Sequence, residues 1–186
     1  MNKNDLRVIK TKEIFHKSLV KLLTTISLDK IKVSQICREA NVSRGTFYLH
    51  YEIVQDVFDE YYQAVIGDLK KAYEAPLEKA IDVNGRILDS TKIRIFHHVK
   101  QYEEFYKITF SKKIPMSYYY MIFDEIGNLL RSISMSYKRD LDIDVDYYIA
   151  YQTNAIMGLL LEWHRRDFSD SAEYITKQLY KIVSWR

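Results

Sequence analysis

Residues 41–52 read NVSRGTFYLHYE. A serine, an arginine, a glycine and a threonine stand between apolar Val42 and Phe47, and Tyr48, His50 and Tyr51 follow at once. The order predicts a short helix over 44–50 opened by Ser43, whose hydroxyl suits the N-cap position. Upstream, Val33 to Ala40 predicts a second short helix, with Asn41-Val42-Ser43 as the connection. Two short helices that cross tightly need a residue tolerant of left-handed backbone, a small residue at the crossing and apolar residues at fixed points. Asn41 meets the first need, Cys37 the second, and Ile36, Ala40, Val42 and Phe47 the third. The expectation is a helix-turn-helix.

The same residues carry a functional expectation. Ser43 would cap the third helix and leave its N-terminal amides facing a phosphate. Arg44 and Thr46 fall in the first turn, where a recognition helix meets base edges in the major groove; arginine pairs bidentately with guanine and threonine touches a thymine methyl. Gly45, costly inside a helix, is explained if a DNA backbone must come close. Tyr48 and His50 offer a hydroxyl and an imidazole to phosphate oxygens. Simple capping would explain Ser43 as well, and a lone tyrosine or histidine is ordinarily surface or core. The combination in this order points to DNA.

Charge supports that division of labour. Residues 1–50 hold ten Lys/Arg against four Asp/Glu, a balance of +6, while residues 51–186 hold eighteen against twenty-one, a balance of −3. A basic head on a mildly acidic body is expected to meet a polyanion. Across 186 residues, 47% hydrophobic composition with only five Gly and two Pro favours an all-α globular chain. The opening MNKNDLRVIK lacks an apolar signal core, and no stretch approaches the roughly 18 apolar residues of a membrane span, so a cytoplasmic protein with no membrane partner is expected. Cys37 is the sole cysteine, which excludes an internal disulfide and any multi-cysteine metal site, and it reads as packing.

The run IKVSQICREANVSRGTFYLHYE, and within it VSRGTFY-x-HY, resembles the tetracycline-repressor (TetR) family of bacterial transcriptional regulators over roughly residues 5 to 60. The resemblance implies a homodimer in which each recognition helix enters a major groove of a palindromic operator, with Ser43, Arg44, Gly45, Thr46, Tyr48 and His50 as the DNA-contacting set. Three positions depart from the family pattern. Lys32 stands where Ser or Thr usually caps the second helix, Leu49 where a polar residue is common, and Val54 where a phosphate-binding lysine commonly opens the fourth helix. No contact is carried over at residue 54, and reduced non-specific affinity is expected. FHHVKQYEEFYK (96–107) and GLLLEWHRRDFSDSAEYITKQL (158–179) are similar to the C-terminal half of a subgroup that includes regulators of dihydroxyacetone kinase operons.

The expected architecture is a helix-turn-helix head over residues 1–52, with a first amphipathic helix over 5–25, and a helical ligand-binding and dimerisation body over 53–186. Body helices are expected over 53–73, 86–101, 103–111, 115–138, 145–166 and 169–184, with Pro76 and Pro115 between helices. Ala172, Ile175, Leu179 and Ile182 recur at steps of three and four, and Ala150, Ala155 and Gly158 leave a narrow strip on the preceding helix. These seven are expected at a four-helix dimer seam, with packing inside the chain accounting for part of the same surface. Sixteen tyrosines suit either half-buried seams or a pocket for a small apolar or aromatic effector. The pocket candidates are Phe96, Tyr106, Phe110, Tyr119, Phe123 and Trp163.

Catalytic and metal readings fail on spacing. Asp140, Asp142, Asp144 and Asp146 alternate like the start of a calcium loop, but Val145 occupies the required glycine position and Tyr151 the closing acid position. Acids there suit the start of the next helix. Glu13 and His16 form a single Glu-x-x-His pair, and a di-iron bundle needs two. Adjacent His97 and His98 point in different directions on a helix. No enzyme, cofactor or metal is expected. The rival from another class is a coactivator or adaptor that keeps the head for folding and answers to a partner protein.

Overall fold

The computed structural model describes residues 6–74, 80–81, 87–88, 90–136 and 143–184. Helix α1 (Leu6–Leu23) turns Val8, Phe15, Ser18, Leu19 and Leu23 inward, one face at helical spacing. A 3-10 turn, Leu28–Lys30, leads into α2 (Val33–Ala40). Asn41 ends α2 in the left-handed region, φ 54° and ψ 44°, as an asparagine tolerates. Helix α3 (Arg44–Tyr48) follows, and then α4 (Val54–Glu74). The expected third helix ran to residue 50; the chain instead tightens after Tyr48, where the His50 amide bonds the Phe47 carbonyl at 2.9 Å.

Helices α5 (Ser90–Gln101), α6 (Glu103–Thr109), α7 (Ser117–Ser136), α8 (Val145–Arg165) and α9 (Ala172–Ser184) complete the body. A helix expected from residue 86 begins at Ser90, because Ile87–Leu88 pair antiparallel with Ala80–Ile81 in a two-residue ladder. Pro115 stands two residues before α7, as its missing N–H requires, and Pro76 lies outside the described residues. Helix α9 starts three residues later than expected, because Asp167 and Phe168 both turn left-handed, with φ of 55° and 52°.

Helix α4 is the spine. It packs on α1 from the head and on α5 and α7 from the body, while α8 lies along α7 and α9 along α5. One buried cluster runs from Phe15 through Phe47 and Phe58 to Leu179. In the head, Phe15 meets Phe47 edge-on with centroids 5.5 Å apart and Tyr51 at 5.7 Å. Cys37 sits buried at the α2 crossing, its thiol pushed up by burial, as a packing residue requires.

Candidate nucleic-acid interface

Side chains that point outward from the head depend on how firmly α3 is held from within. Phe47 anchors it, fully buried between Phe15 and Tyr51. Ser43 is the N-cap, and its Oγ accepts the Thr46 amide at 3.0 Å and lies 2.9 Å from the Thr46 hydroxyl. The cap therefore uses one amide that the sequence reading left for a phosphate. Arg44, Gly45, Tyr48 and Leu49 are exposed, while Thr46 and His50 are half-buried. No acid occupies the first turn of α2 or α3, so nothing there opposes a polyanion.

Gly45 is informative. A Cβ built at this position would meet only the Ser43 Oγ, at an ordinary contact of 3.6 Å. The chain itself leaves room for a side chain there, so the glycine answers no packing need within the chain.

The three family departures have physical resolutions. Lys32 cannot accept an amide, but the Gln35 side chain accepts the Lys32 N–H at 2.8 Å and closes that helix end from the other side. Val54 is buried in the core. The two residues ahead of α4 are held by Asp56, whose Oδ2 accepts the Glu52 amide at 2.8 Å and the Ile53 amide at 2.9 Å. Leu49 and Ile53, 70% and 57% exposed, stand at this end with Tyr48 beside them at 60%.

Sequence reasoning missed the joint between head and body. Glu60 of α4 accepts hydrogen bonds from Lys12 Nζ and from the Tyr51 hydroxyl, and His16 Nε2 lies 3.5 Å from the same carboxylate. Burial works to raise the Glu60 pKa, but the bonds from Lys12 and Tyr51 outweigh it and hold it below its ordinary value. Tyr51 is pushed up by burial and by that carboxylate; burial also lowers His16. The Leu28 amide bonds the Lys113 carbonyl at 3.0 Å, and Lys113 Nζ reaches back to the Thr24 carbonyl. No local pattern announces these pairs, since each joins residues from separate elements.

The six aromatic candidates lie in the body as expected, but close-packed. Phe96, Tyr106 and Trp163 are buried, with Phe96 and Trp163 centroids 6.2 Å apart. Phe110 lies 5.8 Å from Tyr106, 6.2 Å from Tyr119 and 5.9 Å from His164, while Phe123 is half-buried against the core. A cavity of about 680 Å³ opens elsewhere, between α1 and α6, and none of the six lines it.

Of the seven seam candidates, Ala172, Ile175 and Leu179 are buried within the chain, on the helix that packs against α5. Ala150, Gly158 and Ile182 are exposed and Ala155 is half-buried. Gly158 has nothing within 4 Å of a built Cβ. Tyr147 and Tyr151, 78% and 71% exposed, share the Ala150 and Gly158 face of α8 at steps of three, four and seven.

Asp140 and Asp142 lie outside the described residues. Asp144 caps α8, accepting the Asp146 amide at 2.8 Å, and Asp146 pairs with Arg131 at 2.7 Å. Among the described residues, no group of three or more metal-ligating side chains is placed to hold an ion, and no helix is long and apolar enough to cross a membrane.

A family profile for the transcriptional regulator C-terminal region of the TetR class matches residues 88–184. The chain belongs to the TetR family of transcriptional regulators, which are not enzymes. It is 22% identical over 167 residues to YxbF of Bacillus subtilis (strain 168), an uncharacterised HTH-type transcriptional regulator, covering 90% of this chain and 43% of that relative. The chain thus spans less than half the length of that relative. Among solved structures, the dihydroxyacetone kinase operon activator DhaS superposes with a TM-score of 0.61 at 18% identity, covering 94% of both chains. The fatty acid degradation regulator FadR of Bacillus halodurans gives 0.67 at 12% identity, covering 95% and 96%. NalD, the secondary repressor of the MexAB-OprM multidrug efflux pump of Pseudomonas aeruginosa, gives 0.62 at 15% identity, covering 93% and 96%.

Proposed function

We propose that this chain is a homodimeric DNA-binding repressor that reads a palindromic operator and is released by a small apolar or aromatic effector. Gly45 carries the reading: the chain has room for a side chain there, so its absence serves a surface outside the chain. Beside it, exposed Arg44 offers the bidentate fork that reads guanine, and Tyr48 and His50 flank it as phosphate contacts. We divide head from body between residues 52 and 53, just ahead of the start of α4 at Val54. The two recognition helices of a dimer must stand about 34 to 36 Å apart to reach successive major grooves. An effector acts by preferring another spacing, and the aromatic seam around Phe110 and Trp163 is where it would open a space. Similar folds include a protein named an activator and one named a repressor, so the sign of regulation rests on this chain's own operator.

The test is selection from a random duplex library with the full chain. A palindrome should be enriched, and Arg44→Ala should cost about 1 to 3 kcal/mol on it while relaxing preference at one base position. Enrichment of no palindrome sinks the repressor reading. It would favour the adaptor reading, which draws on exposed Leu49 and Ile53 at the end of the head, where Asp56 holds the Glu52 and Ile53 amides.

Dimerisation is assigned to the exposed face of α8. Tyr147, Ala150, Tyr151 and Gly158 form a strip of rings and small residues, the composition that lets two helices approach closely. Tyr151→Glu combined with Gly158→Leu should give folded monomers by sedimentation at micromolar concentration, with operator affinity lost. A variant that sediments as wild type moves the interface elsewhere.

A further inference from the structure

The cavity between α1 and α6 has a built floor and an unusual charge arrangement. Val20, Tyr61 and Ile108 supply the floor, and the His16 ring lies over Tyr61 at 5.2 Å and 31°. Half of the lysines and glutamates in the walls already have partners. Lys21 is held by Glu39 at 2.5 Å, and Lys107 by Glu103 at 2.8 Å and Asp167 at 2.9 Å. Glu13 on the α1 wall and Glu104 on the α6 wall have no ion-pair partner among the described residues, and Lys17 is the one free ammonium beside them. The free charges therefore leave one carboxylate in excess. Glu104 lies close enough to the Tyr61 hydroxyl that, after burial, its charge is the next cause of a pKa raised to about 12.

We propose that this groove binds a small organic cation with an apolar body, and that its occupancy adjusts the head against the body. The apolar part covers Val20 and Ile108, and the ammonium sits between Glu13 and Glu104. A cation placed there ties a wall belonging to the head to a wall belonging to the body. Through Lys107 the second wall also reaches Asp167, in the turn that joins α8 to α9. An occupant thus touches the DNA-facing unit and the base of the pairing helices together. This regulatory consequence rests on the DNA-binding reading; the binding itself does not.

The test is calorimetry on the full chain with phenethylammonium, phenethyl alcohol and hydrocinnamate, which share a body and differ in charge. The cation should bind at least about tenfold more tightly than the other two. Glu13→Gln with Glu104→Gln should weaken it at least about tenfold with the melting temperature unchanged, whereas Asp29→Asn with Asp124→Asn, an equal charge change elsewhere, should not. No binding of the cation, equal binding of all three probes, or undiminished binding by the double Gln variant overturns the site. The cation should also shift wild-type affinity for the selected duplex and leave that of the double variant unmoved. Binding without that shift overturns the regulatory part. A chain that selects no duplex defeats the DNA-binding reading while the calorimetry still decides the site.

Discussion

Head and body both rely on aromatic rings, but they use them in opposite ways. In the head, Phe15, Phe47 and Tyr51 form a small knot whose task is to hold a five-residue helix rigid, and the outward surface is left to Arg44, Gly45 and Tyr48. In the body, the rings run in a seam from Phe96 through Trp163 and Phe168 to His164 and Phe110. Its outward surface on α8 carries rings of its own, Tyr147 and Tyr151, beside small residues and few charges. One exposed face is suited to a polyanion and the other to a copy of itself. A surface is defined as much by what is kept off it as by what it carries: acids are absent from the first turns of the head helices, and bulk is absent at Gly158.

The comparison is broken most sharply by removing one ring from each side. Phe47→Ala and Trp163→Ala should each cost about 3 to 5 kcal/mol, read by urea unfolding, because both side chains are fully buried. If the head knot and the body seam are one cooperative unit, as the continuous core implies, each variant should lower a single transition. Two separated transitions in Phe47→Ala would show a head that unfolds on its own.

Acid should act more on the body. His98 is buried, with Nδ1 3.1 Å from the Tyr106 hydroxyl and Nε2 3.1 Å from the Val65 carbonyl, and burial lowers its pKa to about 4. A folded-state value below the unfolded one means that the folded chain binds fewer protons. Stability is therefore full above the ordinary histidine value of about 6.5 and falls as pH drops from there towards about 4. The loss at pH ~5 should be about 2 kcal/mol, with half-buried His16 in the head adding in the same direction. His98→Gln should flatten the pH dependence of the unfolding midpoint; an unchanged slope would mean that His98 is not its source.

Gly45→Ala gives the smallest stability effect and the clearest separation of roles. It should stabilise the chain by about 0.5 to 1 kcal/mol, since alanine favours a helix and the position has room. Operator binding should fall at the same time. A variant that is both more stable and fully active would remove the main support for close DNA approach at this residue.

Parts of the molecule governed by short-range rules were legible in the sequence. Asn41 in the left-handed region and Ser43 over the Thr46 amide each depend on partners within four residues, and both stand as the residue order implied. The apolar period of α9 was equally plain, but a period gives a face and not its partner. Ala172, Ile175 and Leu179 turned to the chain's own α5, whereas Ile182 stayed outside. Glu60 with Tyr51 and Lys12, and His98 with Val65, could not be read at all, because their meeting depends on how α4 lies against its neighbours. Glu13 and His16, whose single pair was too little for a metal site, do share a groove, where His16 leans on Tyr61 and Glu60.

The Leu28 amide has a consequence for how this chain is made. Leu28 is buried as the first residue of the short 3-10 turn that leads into α2, and the acceptor of its amide, the Lys113 carbonyl, lies just before α7. A chain growing from its N-terminus exposes the reading helices long before that carbonyl exists. Until Lys113 leaves the ribosome, the turn in front of α2 holds a donor without its acceptor, and the Thr24 carbonyl waits for the same residue's ammonium. The nascent head thus lacks these two bonds until residue 113 emerges, and the clasp that supplies them comes from the body of the chain.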